Sequence, residues 1–293
     1  MGASGLVRIG VAGWDYPDWS GLVYPHGAGR GFDRLGWLAR FVDTVEINAT
    51  FYRPCTAKVA ATWVRRVAHA RGFRFAAKAH RSWTHDAADT FDVAPTLEGL
   101  TPLREAGLLG ALLVQFPQSF HRSEGAQERI GRILDRVEGW PVVLEFRHAS
   151  WDDDFAAAWV RDRGAAWCVV DQPQIGRSTA APTARVTSRL AYFRLHGRNA
   201  GNWFREDAGR DARYDYLYSE EELGPLADAA AAMAVRAAEV YVIQNNHFRG
   251  QAVVNALQMK QRLQGVRPVA PGSLAAAYPE LAAIAAPEPG RLI

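Results

Sequence analysis

The sequence predicts an α/β chain folded as a (β/α)8 TIM-like barrel. Three observations lead there. Eight short apolar, β-branched runs recur along 293 residues, each near the usual strand length. Helical patterns follow most of them, the alternation that builds a parallel sheet. Eight is also the number at which such a sheet closes on itself. An open doubly wound sheet is the competing architecture, but no G-x-G-x-x-G turn follows the first run.

In order, the runs are Val7–Ala12, Thr44–Thr50, Arg74–His80, Gly110–Phe116, Pro141–Arg147, Ala165–Asp171, Leu190–His196 and Val240–Asn246. Between the second and third, Ala57–Ala70 carries Val59, Trp63 and Val67 at i, i+4 and i+8, the spacing of one buried helical stripe. Asp152–Arg163 and Gly250–Leu263 are also helix-like, and Ser219-Glu220-Glu221-Glu222 reads as a capping box opening the alanine-rich run to Glu239. Gln172–Arg189 holds Pro173 and Pro182, so the helix between strands six and seven is expected to be incomplete. Val266 to Ile293 is rich in Pro, Ala and Gly and reads as a packed-down or frayed tail. No linker divides the chain, so one domain spans 1–293, with a core of about 7–263 and a tail of 264–293.

Hydrophobic residues make up 48 % and charged residues 22 %, which excludes a disordered or collagen-like chain. Two cysteines, Cys55 and Cys168, cannot make a disulfide framework or a cysteine-based zinc site, which favours a reducing compartment. Both are expected to be unpaired and not catalytic, Cys55 on its loop being the more reactive. No stretch approaches the roughly 20 apolar residues of a membrane span. Met1 to Leu6 is too short and polar for a signal peptide, and Leu6 stands where a myristoylation motif needs Ser or Thr. A soluble, cytoplasmic protein is expected. A net charge of +3 and a pI near 9.0 permit an anionic partner without requiring one. Only Lys58, Lys78 and Lys260 are lysine, and the rest of the 34 basic residues are arginine.

Barrel chemistry lies at the C-terminal strand ends, where side chains alternate inward at period two. There the second strand puts Glu46 and Asn48 on one face, and the third Lys78 and His80. The fifth puts Glu145 beside Arg147, and the seventh aligns Arg194, His196 and Arg198. Strand four ends at Gln115, strand six at Asp171, and strand eight at Gln244-Asn245-Asn246-His247. Burying such charges costs several kcal/mol unless they pair. One explanation is a structural salt-bridge lattice, in which Glu46 and Glu145 are neutralised by Lys78, Arg147 and Arg194. The other is a ligand site. On the second view Glu46, Lys78, Glu145 and His196 are the catalytic candidates, and Trp14, Asn48, Tyr52, Gln115, Arg147, Arg198, Asn245 and Asn246 the substrate-binding ones.

The segments Gly10-Val11-Ala12-Gly13-Trp14-Asp15-Tyr16 with Trp19 and Tyr24-Pro25, Val45-Glu46-Ile47-Asn48-Ala49-Thr50-Phe51-Tyr52, Phe75-Ala76-Ala77-Lys78 with Thr84-His85, Gln115-Phe116-Pro117, Glu145-Phe146-Arg147-His148 with Trp151, Arg194-Leu195-His196-Gly197-Arg198, and Asn245-Asn246 carry a resemblance. In this order, from about residue 7 to residue 260, the chain resembles the YecE-like family, also called domain of unknown function 72. The resemblance implies a TIM-like barrel related in shape to the xylose isomerase and endonuclease IV group. It implies no reaction.

Two carboxylates and a lysine in one pocket suit general acid–base work. Lys78 is also a candidate Schiff-base nucleophile if Arg147 and Arg194 depress its pKa. Glu46, Glu145, Asp171, His80 and His196 are conceivable ligands for a divalent metal, but the cations on the same strands oppose one, and no H-x-x-x-H or H-E-x-x-H spacing appears. No cofactor is therefore expected. A cation-rich pocket more readily takes a phosphate or carboxylate group. Aromatic residues on the loops, among them Tyr16, Trp203, Phe204, Tyr214 and Tyr216, suit stacking on a base or sugar. The connection Arg198 to Ser219, with Arg205, Arg210 and Arg213, reads as a lid or a nucleic-acid contact. A further anion site is expected where Asn246 to Gly250 leads into the last barrel helix, with Arg249 and Arg198 beside it. The leading expectation is a hydrolase or lyase acting on a phosphate-bearing substrate, including nucleic acid. The alternatives are a non-catalytic nucleic-acid-binding barrel and a metal-dependent sugar isomerase.

Overall fold

In the computed structural model, eight parallel strands close into a barrel in sequence order: β1 (Leu6–Ala12), β2 (Thr44–Ile47), β3 (Arg74–Lys78), β4 (Leu109–Gln115), β5 (Val142–Glu145), β6 (Ala166–Asp171), β7 (Leu190–Leu195) and β8 (Glu239–Gln244). The structure describes residues 4–86, 90–179, 181–203, 205, 209–286 and 288. Phe204 and the Arg210 side chain, expected in the lid, lie outside the described residues. The fold is the (β/α)8 barrel expected.

Helices α1 (Arg34–Leu38), α2 (Ala57–Arg66), α3 (Ala94–Glu105), α4 (Glu124–Arg136) and α5 (Asp154–Asp162) follow the first five strands in turn. After β7 come the short α6 (Gly209–Ala212) and then α7 (Glu220–Ala234), and after β8 comes α8 (Gln251–Gln264). Among the described residues no helix lies between β6 and β7, where Pro173 and Pro182 interrupt the chain. The starts follow side-chain caps. Thr56, Ser123 and Asp153 accept the backbone N–H groups of Val59, Ala126 and Ala156, and Ser219 with Glu222 forms the expected capping box. The buried face of α2 departs from expectation: it is Ala60, Trp63 and Val67, while Val59 is 40 % exposed. Burying a side chain such as Val67 contributes about 1.5–3 kcal/mol.

The tail is largely packed down. Helices α9 (Gly272–Ala277) and α10 (Pro279–Ala282) bury Leu274 and Leu281, and Ser273 Oγ donates to the Leu22 carbonyl at 2.6 Å. No described helix is long and apolar enough to cross a membrane.

Two apolar layers position the site. One lies between strands and helices, and the other fills the barrel with Ala12, Ala76, Ala111, Leu113, Val143, Ala166, Cys168, Val170, Tyr192, Tyr241 and Ile243. So many alanines in a barrel core follow from volume, because a close-packed interior must make room for the large polar side chains reaching across it. Cys168 and Cys55 are both free thiols. Burial raises Cys55 to about 11 and Cys168, which is fully buried, well above its usual value, so Cys55 remains the more accessible of two poor nucleophiles at neutral pH.

Candidate functional site

Arg194 stands at the centre. It points inward from β7, is 2 % exposed, and spans the barrel to two carboxylates. Its Nη2 donates to Glu46 Oε1 at 2.7 Å and its Nη1 to Glu145 Oε2 at 2.6 Å. One turn of the pleat below, Tyr192 donates its hydroxyl to Glu46 Oε2 at 2.9 Å. Both acids are fully buried, so each charge is carried by these bonds rather than by water.

Above this layer Arg147 reaches over the mouth. Its Nε donates to Glu145 Oε1, its Nη1 to Gln172 Oε1 at 2.8 Å and its Nη2 to His196 Nε2 at 3.0 Å. Burial pushes the Glu145 carboxyl up, but Arg147 and then Arg194 outweigh it and hold the group at about 2. Burial, then Arg147 and Arg194, keep His196 neutral, well below its usual range. A guanidinium only donates, so Nε2 accepts and the ring proton sits on Nδ1. The Asn245 side-chain amide lies 2.7 Å from Nδ1 and therefore turns its carbonyl oxygen to that proton, keeping its NH2 as a donor.

Lys78 differs from the other cations. Its Nζ donates to the neutral Gln115 Oε1 at 2.9 Å and sits 4.2 Å from the centre of the Phe51 ring. Among the described residues it forms no ion pair, because Arg194, Arg147 and Tyr192 already take Glu46 and Glu145. Of the three cations expected to neutralise Glu46 and Glu145, Arg194 and Arg147 do so and Lys78 does not. Burial, followed by Arg194, lowers Lys78 to about 8. An ammonium held that far below its usual 10.5 opposes folding at neutral pH. Lys78→Met should accordingly stabilise the protein at pH 7 by about 1–3 kcal/mol, with the gain fading as pH rises from 8 to 10.5, where the folded lysine is already neutral. Urea denaturation at pH 7 and pH 10 checks this, and a destabilised variant at pH 7 would refute it.

These groups border a cavity of about 250 Å³ at the C-terminal mouth. Lys78, Arg147, Arg194 and Arg213 supply its cations, Asn48, Gln115 and Asn245 its amides, and Tyr16, Tyr52, Tyr214 and His247 its rings. None of these lining residues is a carboxylate. Glu46, Glu145 and His196 lie directly beneath, bonded to the lining through Arg194 and Arg147.

Three of the expected binding residues point elsewhere. Arg198 donates from Nε and Nη2 to Asp171 at 2.8–3.2 Å and reaches Glu222 at 3.3 Å, because Gly197 at φ +86° turns the chain out of strand alternation. Asn246 donates to the Tyr216 carbonyl at 2.8 Å and Asn255 Oδ1 at 2.7 Å, so Asn245 is the member of that pair at the cavity. Trp14 packs edge-on against Trp63, 5.7 Å between ring centres. His80 leaves the inner face as well, capping a 3-10 turn through Ser82 and meeting the Tyr52 carbonyl. At the expected anion site before α8, the Arg249 N–H already donates to the Asp18 carboxylate at 2.5 Å. Tyr16, Arg194, Arg213, Tyr214 and His247 line the cavity without having been selected as site residues. Loop aromatics and a lid arginine were the only signals for three of them.

Among the described residues no group of three or more His, Cys, Asp or Glu could hold a metal ion. Asp171, one conceivable ligand, is taken by Arg198 and by the Tyr218 hydroxyl at 2.5 Å.

A closed eight-stranded barrel with a cation-lined mouth is thus the class that fold and site define. The chain belongs to the family described as protein of unknown function DUF72, which matches residues 8–277. It is 27 % identical over 278 residues to the UPF0759 protein YunF of Bacillus subtilis, covering 88 % of this chain and 95 % of that protein. Among solved structures, a DUF72 family protein from Thermotoga maritima is 32 % identical with a TM-score of 0.77, over 88 % of this chain and 99 % of that one. A DUF72 family protein from Enterococcus faecalis is 28 % identical with a TM-score of 0.77, over 88 % and 96 % of the two chains.

Proposed function

We propose that this barrel is an enzyme, a hydrolase or lyase, that binds a phosphate-bearing substrate in the cation-lined mouth. One observation carries the reading: among the described residues, four cationic side chains and no carboxylate line a small cavity. An anion there gains charge-assisted hydrogen bonds from Lys78 and Arg213, while Arg147 and Arg194 keep their ion pairs with Glu145 and Glu46. Arg213 is the best placed to give such a bond, since its buried Nε has no hydrogen-bond partner among the described residues. A cavity of about 250 Å³ suits a small phosphorylated compound or a single nucleotide unit.

The geometry redistributes the catalytic roles. Glu145, held at about 2, stays ionised and steadies the arginines, and Glu46 spends both oxygens on Arg194 and Tyr192. Both ring nitrogens of His196 are engaged, so it orients Arg147 and Asn245. Lys78, lowered to about 8 on the cavity, is the candidate for proton transfer to or from substrate. A second reading, a non-catalytic barrel holding nucleic acid, draws support from Tyr52, which stands 65 % exposed at the rim where a base could stack.

Turnover of a panel of phosphate esters, with and without divalent ions, separates enzyme from binding module. Binding is tested by titration calorimetry with inorganic phosphate at low ionic strength. Arg213→Ala should weaken it by about 1.5–3 kcal/mol, the usual worth of a hydrogen bond to a charged group. Unchanged affinity in that variant would remove the mouth as the anion site.

A further inference from the structure

We propose that Lys78 is a covalent nucleophile, forming a Schiff base with an aldehyde or ketone that also carries a phosphate group. The inference rests on the reading of the mouth as a phosphate site and narrows it to a lyase acting on a carbonyl compound.

Three features of Lys78 carry it. Lys78 lines the cavity, which puts its side chain beside a bound carbonyl compound. Its neighbours are a neutral amide oxygen and an aromatic face, and neither takes the proton that a carboxylate partner would hold in an ion pair. Burial first and then Arg194 and Arg147 disfavour its positive charge, and they outweigh Glu46 and Glu145, whose oxygens are bonded to those arginines and not to Lys78. With Lys78 at about 8, roughly a tenth of it is the neutral nucleophile at pH 7. The other lysines lack this setting. Lys260 is paired with Asp43 at 2.8 Å, and Lys58 lies exposed on α2.

The step balances without a cofactor. The ammonium first gives up a proton, and the free electron pair on Nζ attacks the carbonyl carbon while the π pair moves to oxygen. Proton transfer yields a neutral carbinolamine. Reprotonation of its hydroxyl expels water and leaves a C=N bond with one positive charge on nitrogen. One ammonium and one carbonyl thus become one iminium and one water, and the cation count of the mouth is preserved. The substrate's phosphate keeps its countercharges, with Arg213 offering the unpartnered Nε.

With three lysines in the chain, the test reads out cleanly. The intact protein is incubated at pH 7.5 (about half a unit below Lys78's midpoint) with glyceraldehyde 3-phosphate or with glyceraldehyde, each with cyanoborohydride, and digested for peptide mass mapping. The expected result is reduced adduct on Lys78 at least tenfold above Lys58, Lys260 and the N-terminal amine. It should form faster with the phosphorylated aldehyde, be suppressed by inorganic phosphate, and be absent from a folded Lys78→Arg variant. Equal labelling of all amines overturns the proposal, and phosphate binding that persists in calorimetry would then leave the anion reading standing. Selective labelling of Lys78 by both aldehydes alike, insensitive to phosphate, overturns the phosphate-bearing substrate class and the anion reading with it.

Discussion

Arg194→Met should lower the unfolding free energy by about 3–5 kcal/mol, the range for removing one partner of a buried ion pair. Methionine fills much the same volume, so the effect isolates charge from packing. Glu46 and Glu145 would be left buried in the barrel with one cationic partner between them, since Arg147 touches only Glu145. Tyr192 still donates to Glu46, but a neutral hydroxyl does not offset a buried carboxylate charge. The combined variant Arg194→Met, Glu46→Gln should recover part of the loss, because the stranded charge is removed together with its partner. Chemical denaturation of the three proteins measures this. A loss under about 1 kcal/mol in the single variant would mean that the cross-barrel bridge is incidental to folding.

Acid stability should turn on Glu145. Arg147 and Arg194 outweigh burial and hold its carboxyl at about 2, against an ordinary 4.5, so at intermediate pH the unfolded chain binds a proton that the folded one refuses. The stabilisation is complete above pH 4.5 and is lost as pH falls toward 2. It is on the order of 3 kcal/mol from that displacement. Glu145→Gln should be less stable at pH 7 and should show a flatter stability curve between pH 5 and pH 2. An acid limb of equal steepness in both proteins would assign acid unfolding to other carboxylates. The two variants share one network, so their effects should not add.

Both effects depend on side chains whose inward direction was legible in the sequence wherever the backbone stays extended. Period-two alternation orients Glu46, Lys78, Gln115, Glu145 and Arg194 inward, and it survives one step beyond the strand for Arg147, His196 and Asn245. It fails where the backbone leaves the extended region. Gly197 sends Arg198 to Asp171, and the turn after Lys78 sends His80 to Ser82. Tyr16, Arg213, Tyr214 and His247 come from connections with no period at all, and only closure of the barrel brings them to one cavity. Pairing was the least legible feature. Lys78, Arg147 and Arg194 were equal candidates for the two glutamates, and the choice is made by reach across the barrel, which leaves lysine as the cation without a carboxylate.

The proposed anion-binding role of the mouth turns on Lys78, and its titration is the direct test. The amines are labelled as 13C-dimethylamines, giving one signal each for Lys58, Lys78, Lys260 and the N-terminus, with Lys78 assigned by its absence from Lys78→Arg. Lys78 should titrate near pH 8, more than two units below an ordinary lysine, and its midpoint should rise when inorganic phosphate is added. A Lys78 signal that titrates near 10.5 and does not respond to phosphate would contradict the account.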